Sequence, residues 1–481
     1  MSIIQKIFSL ILMSILIVSL SFAQKIRPPA VAGSFYPADA NELRSNINNM
    51  IKKAPETSVK GKIIAVISPH AGYQYSGQVS TDMYKILKNE KYNVVCVIAP
   101  SHREAFNGVS IYPGEGYQTP LGVVNIDKKL AEKLTKESPF IKFSEDGHRE
   151  EHSVEVQLPF LQVVLGNFKL IPLVMGDQNY NTCTSLGKAL ATVFKNENVL
   201  IVASSDLSHF HKYDDAVKLD KKLLNAVKLY DYLLLSRYLA TGECEACGGG
   251  PIISAMISAQ NLGANKAQII SYANSGDVTK DKSSVVGYMS SILLKTDNIG
   301  NMLNMEDRKK LIEIAKTSVF NKIKGNKMPE FKNLSETLKQ YCGAFVTLNE
   351  NGQLRGCIGY IVAEKPLYQT VEDVAISAAI NDPRFPPVSK GELDKLEFEV
   401  SVLTPFRLIT DVNEIEVGKH GLFIVKGRNS GVLLPQVATS NKWDRNIFLE
   451  QVCIKAGLPM GSWKEKDADI YVFSAEVFGE H

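Results

Sequence analysis

Cysteine is scarce in this chain of 481 residues, which holds seven, at positions 96, 183, 244, 247, 342, 357 and 453. So few thiols, odd in number, exclude a disulfide-built scaffold. Excess charge is lacking too. The formal net charge is +3 and no Lys/Arg cluster is interleaved with aromatic residues, which argues against nucleic acid as a partner. There is no internal repeat, no C-x-x-x-C-x-x-C cluster and, beyond the N-terminus, no apolar run long enough to cross a bilayer.

The long apolar run that is present, Ile7 to Ala23, follows Lys6 and ends Ser21-Phe22-Ala23 before Gln24. Residues 1–23 therefore read as a signal peptide, which predicts an exported protein, periplasmic or extracellular. Left uncleaved, the same segment would anchor the chain to a membrane, the one membrane contact the sequence suggests. What remains is long enough for two to four domains at about 100 to 200 residues each.

From about Arg27 to Leu294, apolar strand-like runs alternate with segments of helical spacing, the pattern of βα units around a mostly parallel sheet. Strands are predicted at Ile63–Ser68, Val94–Ala99, Phe168–Val174, Val199–Ser204 and Val285–Leu294. Helices are predicted at Asp127–Glu137, Ser153–Val164, Thr184–Asn196, Ala216–Leu229, Asp231–Tyr238 and Ile252–Leu262. Residues 296–305 are polar and Asn-rich and read as a linker between a domain at 24–295 and a second at 306–481. The second half opens on a predicted helix, Glu306–Asn321. Short strands at Gly343–Leu348, Phe398–Leu403 and Leu422–Lys426 and helices at Thr370–Ile380 and Asn446–Lys455 give it a smaller α+β character.

His70 and His102 each follow a β-branched run, in the loops where α/β proteins place their chemistry. With a thiol from Cys244-Glu-Ala-Cys247-Gly-Gly-Gly they make a donor set suited to zinc, copper or iron. Asp206-Leu-Ser-His209 and Glu150-Glu151-His152 lie around them, with His209 as a candidate acid/base and Asp206 as its orienter. Plainer readings stand beside these. Either histidine could be structural, C-x-x-C could be a disulfide that competes with metal, Asp206 and Ser208 could cap a helix, and Gly248-Gly249-Gly250-Pro251 could be a turn with Pro at the first helical position.

Arg27-Pro-Pro-Ala-Val-Ala-Gly-Ser-Phe-Tyr-Pro37, Ser68-Pro-His-Ala-Gly-Tyr73, Ala99-Pro-Ser-His102, Glu151-His-Ser-Val-Glu155, Ser204-Ser-Asp-Leu-Ser-His209 and Cys247-Gly-Gly-Gly-Pro-Ile252 occur in the order of the Memo family. The chain resembles that family from about Arg27 to Leu294. The resemblance implies an α/β fold like that of class III extradiol dioxygenases, metal ligation by His70, His102 and Cys247, and Asp206 and His209 close by. Those dioxygenases use two His and a carboxylate; a thiolate in the third place favours softer ions. Iron or copper is the expected cofactor, with zinc as the alternative.

In the second half, Gln353-Leu-Arg-Gly-Cys-Ile-Gly-Tyr360 follows an Asn351-Gly352 turn and offers Cys357 as a candidate nucleophile, with His420 as candidate base. The plainer reading is a buried structural thiol. Gly343-Ala-Phe-Val-Thr347, Leu354-Arg-Gly-Cys-Ile-Gly359, Asp382-Pro-Arg-Phe-Pro386, His420-Gly-Leu422 and Leu434-Pro-Gln-Val437 resemble the AMMECR domain from about Glu306 to Phe478. The two resemblances imply a metal-dependent redox enzyme or factor of the AmmeMemoRadiSam system. It would act on a small molecule of unknown identity, beside a separate radical S-adenosylmethionine protein. The alternatives are a metal-binding or scaffold protein without turnover, or a Cys357-dependent transferase.

Overall fold

A computed structural model describes residues 25–296, 303–335, 337–339, 341–361, 365–465 and 467–480. The segment read as a signal peptide and most of the predicted linker lie outside these residues. Among the described residues no helix is long and apolar enough to cross a membrane.

Five of the predicted strands form the middle of a nine-stranded sheet: β1 (Lys62–Ser68), β2 (Val94–Pro100), β3 (Lys169–Met175), β4 (Val199–Ser204) and β5 (Val285–Lys295), in the order β5-β1-β4-β2-β3. Their runs are continuous rather than alternating because both faces are covered, and β2 and β4 are buried from end to end. β1, β4, β2 and β3 are parallel, with Ala65 opposite Ile201 and Val94 opposite both Val199 and Lys169. The expectation of a mostly parallel sheet holds for these four and fails at the flanks. β5 runs antiparallel to β1, strand Lys266–Asn274 runs antiparallel to β5, and Val109–Ile111 runs antiparallel to β3. Apolar content cannot distinguish the two directions when both are buried.

Parallel strands end together, so Ser68, Ser204, Pro100 and Met175 lie on one rim of the sheet. The helices α1 (Tyr180–Phe194) and α2 (Gly249–Asn261) start from that side. α1 begins before its predicted start because the Asn179 side chain caps it, accepting the Thr182 N–H at 3.0 Å. α2 begins inside the glycine run, and Pro251 sits in the first turn, where its missing N–H has no intrahelical partner to lose. Residues 205–208 cap no helix; they run into the short strand His209–His211. Helices at Ala40–Lys53 and Tyr73–Tyr84, absent from the sequence reading, cover the sheet as well.

The second half builds two four-stranded antiparallel sheets. The first joins Ala344–Glu350 to Gln353–Tyr360 through the two-residue turn Asn351-Gly352, whose φ values of 52° and 72° are those of a hairpin turn with both central residues left-handed. The other contains Gly421–Lys426 and Asp469–Phe473. Phe406, Leu408, Tyr471 and Phe473 from this half join one apolar cluster with Leu186, Leu190 and Ile253 of α1 and α2. Hydrogen bonds complete the junction, from the Leu408 N–H to the Tyr232 hydroxyl at 2.7 Å and between the Tyr180 and Tyr471 hydroxyls at 2.9 Å.

Candidate metal centre

His70 leaves the end of β1 buried, at 2% exposure. Its backbone N–H donates to Asp206 Oδ1 at 2.7 Å. The ring Nδ1 lies 2.9 Å from Ser204 Oγ, a hydroxyl whose own proton goes to the Ser153 carbonyl at 2.7 Å. Ser204 Oγ must therefore accept, which places the imidazole proton on Nδ1 and leaves the Nε2 lone pair free. Nε2 lies 3.1 Å from the Cys247 sulfur. Burial, followed by the neighbouring His152, His102 and His209, pushes the His70 pKa well below its ordinary value. The ring is neutral, as a metal ligand must be.

His102 leaves the end of β2 and is tied to one carboxylate twice: Glu151 Oε2 accepts its backbone N–H at 2.6 Å, and Oε1 lies 2.9 Å from Nδ1. Burial alone would raise the Glu151 carboxyl, but hydrogen bonding and charge from His102 outweigh it and hold the pKa at about 2. The anion fixes the ring with Nε2 outward, the support that metal-binding histidines commonly have. Donor atoms of His70, His102 and Cys247 all lie within 4.8 Å of one another. The Asp206 N–H points at the Cys247 sulfur from 3.3 Å, and burial pushes that thiol up, so metal binding has to displace its proton. Two imidazoles, each with Nδ1 already engaged, converging on one sulfur are a donor set that fits a metal ion.

Asp206 is buried, and burial, opposed by the backbone N–H groups it accepts, pushes its pKa up to about 7. His209 is half-buried, with its pKa lowered, chiefly by burial. It stands beside Phe210, which is 76% exposed and holds a left-handed φ of 63°. His152, which the sequence placed only in the vicinity, enters the centre itself. Its ring stacks on His102 at 4.8 Å and meets His70 edge-on at 5.4 Å, with Phe35 behind it at 4.9 Å. Glu151 and His152 form a second donor group with His102. The Glu151 oxygens are already engaged by N–H donors, so this carboxylate orients rather than ligates.

The loop that carries Glu151 is held by the start of the described chain. Arg27, 2% exposed, pairs with Glu155 at 2.7 Å and donates to the carbonyls of His148 and Glu151. Cys244 leaves the site altogether. It is 1% exposed and packs in the apolar core, and both it and Cys247 are free thiols.

Cys357 lies in the strand Gln353–Tyr360, partly buried, accepting the Thr347 hydroxyl at 3.3 Å. Asp382 accepts its N–H at 2.8 Å, and Arg384 donates to its carbonyl at 3.2 Å. His420 lies directly before strand Gly421–Lys426 of the other sheet. Among the described residues no hydrogen bond joins it to Cys357; its Nδ1 accepts the Glu416 N–H, and its side chain lines a cleft of about 700 Å³ between the two halves. A Cys357/His420 pair is therefore not assembled.

Comparison with known proteins agrees with the two halves. Residues 27–292 match the model of the Memo-like protein family, and residues 312–478 match that of AMMECR1. A MEMO1 family protein of Nitrosopumilus maritimus is 38% identical over 268 residues, which are 55% of this chain and 98% of that protein. One from Aquifex aeolicus is 38% identical over 271 residues, 56% of this chain and 100% of the relative. A crystal structure of an uncharacterised protein from Pyrococcus horikoshii shares 40% identity at a TM-score of 0.36, covering 38% of this chain and 95% of that one. The chain belongs to the Memo family, and its Memo domain is followed by an AMMECR1 domain.

Proposed function

We propose that this chain is a metal-dependent redox protein whose ion, iron or copper, is held by His70, His102 and Cys247. The observation that carries this reading is the convergence of two imidazoles, each with Nδ1 already engaged, on one sulfur within 4.8 Å. When bound, such an ion supplies electron exchange and Lewis acidity. The rest of the chemistry is assigned to side chains. Asp206, with a pKa of about 7, can hold or release a proton at its second oxygen near neutral pH, since Oδ1 is taken by the His70 N–H. His209, kept neutral by partial burial, can accept one. The soft sulfur favours copper or a thiolate-bound iron over the harder two-His, one-carboxylate site of the extradiol enzymes.

Metal analysis of the full chain purified without chelator tests the proposal. Iron or copper in stoichiometric amount, lost in a His70→Ala/His102→Ala double variant, is expected, together with oxygen consumption on a panel of catechols and small thiols. Full metal retention by the double variant would remove the site. Zinc alone with no turnover would leave a metal-binding protein without redox chemistry. The fusion of the two domains further supports a place in the AmmeMemoRadiSam system, and failure of a radical S-adenosylmethionine protein to co-purify from source cells would count against it.

A further inference from the structure

Two side chains outside the donor set fix where the Cys247 sulfur can lie. Gln178, between β3 and α1, uses both ends of its amide: Nε2 donates to the Cys247 carbonyl at 2.8 Å and Oε1 accepts the Gly250 N–H at 2.7 Å. Ser205, directly after β4, is fully buried. Its Oγ accepts the Gly248 N–H at 2.9 Å and donates to the Asp206 carbonyl at 2.7 Å. Glycine makes both approaches possible. A Cβ on Gly250 would lie 2.9 Å from Gln178 Cβ, and one on Gly248 would lie 2.7 Å from Ser205 Cβ and 2.3 Å from the Ser204 carbonyl oxygen.

The sheet gives these contacts their meaning. β4, which delivers Ser205, lies between β1, which delivers His70, and β2, which delivers His102, and pairs with both; β3, which leads to Gln178, pairs with β2. Each grip on the Cys247 loop therefore refers the sulfur to the imidazoles through direct strand pairings, Ser205 to both and Gln178 to His102. We propose that Ser205 and Gln178 are positioning residues that set the Cys247 sulfur against the Nε2 atoms of His70 and His102. This rests on the reading of the metal site given above. Neither side chain needs to touch the ion; each acts through the peptide groups around Cys247, whose displacement by a fraction of an ångström lengthens or bends a metal–sulfur bond.

Cobalt(II) added to the full chain serves as the probe, read by its sulfur-to-metal charge-transfer absorption and by competition with a chelator. The wild type should show the thiolate band. Gln178→Ala and Ser205→Ala should hold cobalt about tenfold more weakly or worse, with the band weakened or shifted. Gln178→Glu, which keeps the acceptor for Gly250 and loses the donor to Cys247, should fall between. Melting of the metal-free proteins checks folding, and the exposed Gln178 decides the matter if Ser205→Ala unfolds. A thiolate band in the wild type that is unchanged in Gln178→Ala, at equal affinity, overturns the positioning role and leaves the metal site standing. No thiolate band in the wild type overturns both.

Discussion

The Glu151 carboxylate takes N–H donors from His102 twice, from His152 and from Ser153. Replacing it with Gln puts an NH₂ group where one of these donors must be received, so the His102 ring loses its fixed orientation. Glu151→Gln should weaken metal binding about 10- to 100-fold; unchanged affinity in chelator competition would show that His102 needs no such support. The role was not legible in the sequence, because 49 residues separate the partners and nothing local distinguishes Glu151 from Glu150. The placing of His70 and His102 at strand ends was legible, since each follows a largely β-branched run by a few residues, and their ligand role came from the family resemblance. The choice between Cys244 and Cys247 was open to local reading. In the structure Cys244 turns into the core, where its N–H meets the Tyr238 carbonyl, and Cys247 is the thiol that faces His70.

At the scale of elements, strand Gln353–Tyr360 is braced from outside its sheet. Arg355 Nε donates to Glu392 Oε1 at 2.7 Å, and Glu392 Oε2 accepts the Ser389 N–H at 2.7 Å. The Arg355 hydrogen bond comes first and the Ser389 contacts next in holding the Glu392 pKa at about 2. A carboxyl depressed in the folded state stabilises above its unfolded value of about 4.3 and loses that contribution as pH falls toward its folded value. Glu392→Gln should therefore lower the urea midpoint at pH 6, with the gap from wild type closing between about pH 4.3 and 2. A gap independent of pH would place the effect in packing instead. Element types were largely readable here and in the first half, whereas strand direction was not. β5 is nearly as buried as its parallel neighbours, and only its pairing of Ser291 with Ile67 and Leu294 with Ile63 reveals that it runs the other way.

For the molecule as a whole, the apolar cluster shared by α1, α2 and the strands around Phe406 and Tyr471 joins the two halves, and we predict that they unfold together. Phe406, 8% exposed, lies against Phe423 and Phe473 within that cluster. Phe406→Ala should cost about 3 to 5 kcal/mol and lower a single calorimetric transition. Two separate transitions in the wild type would show that the halves unfold independently. Composition marked the change of architecture near residue 296, but not this docking, because the apolar residues that make it read as ordinary core of their own half. Arg27 has a different reach, since it is buried against a loop more than a hundred positions downstream. During synthesis the imidazoles of His70 and His102 emerge early, and the arm that steadies Glu151 is already present, yet Cys247 arrives last. On the proposed ligand set, an ion met before then would have only two nitrogens to hold it, and the choice of metal would be made when the thiol closes the set.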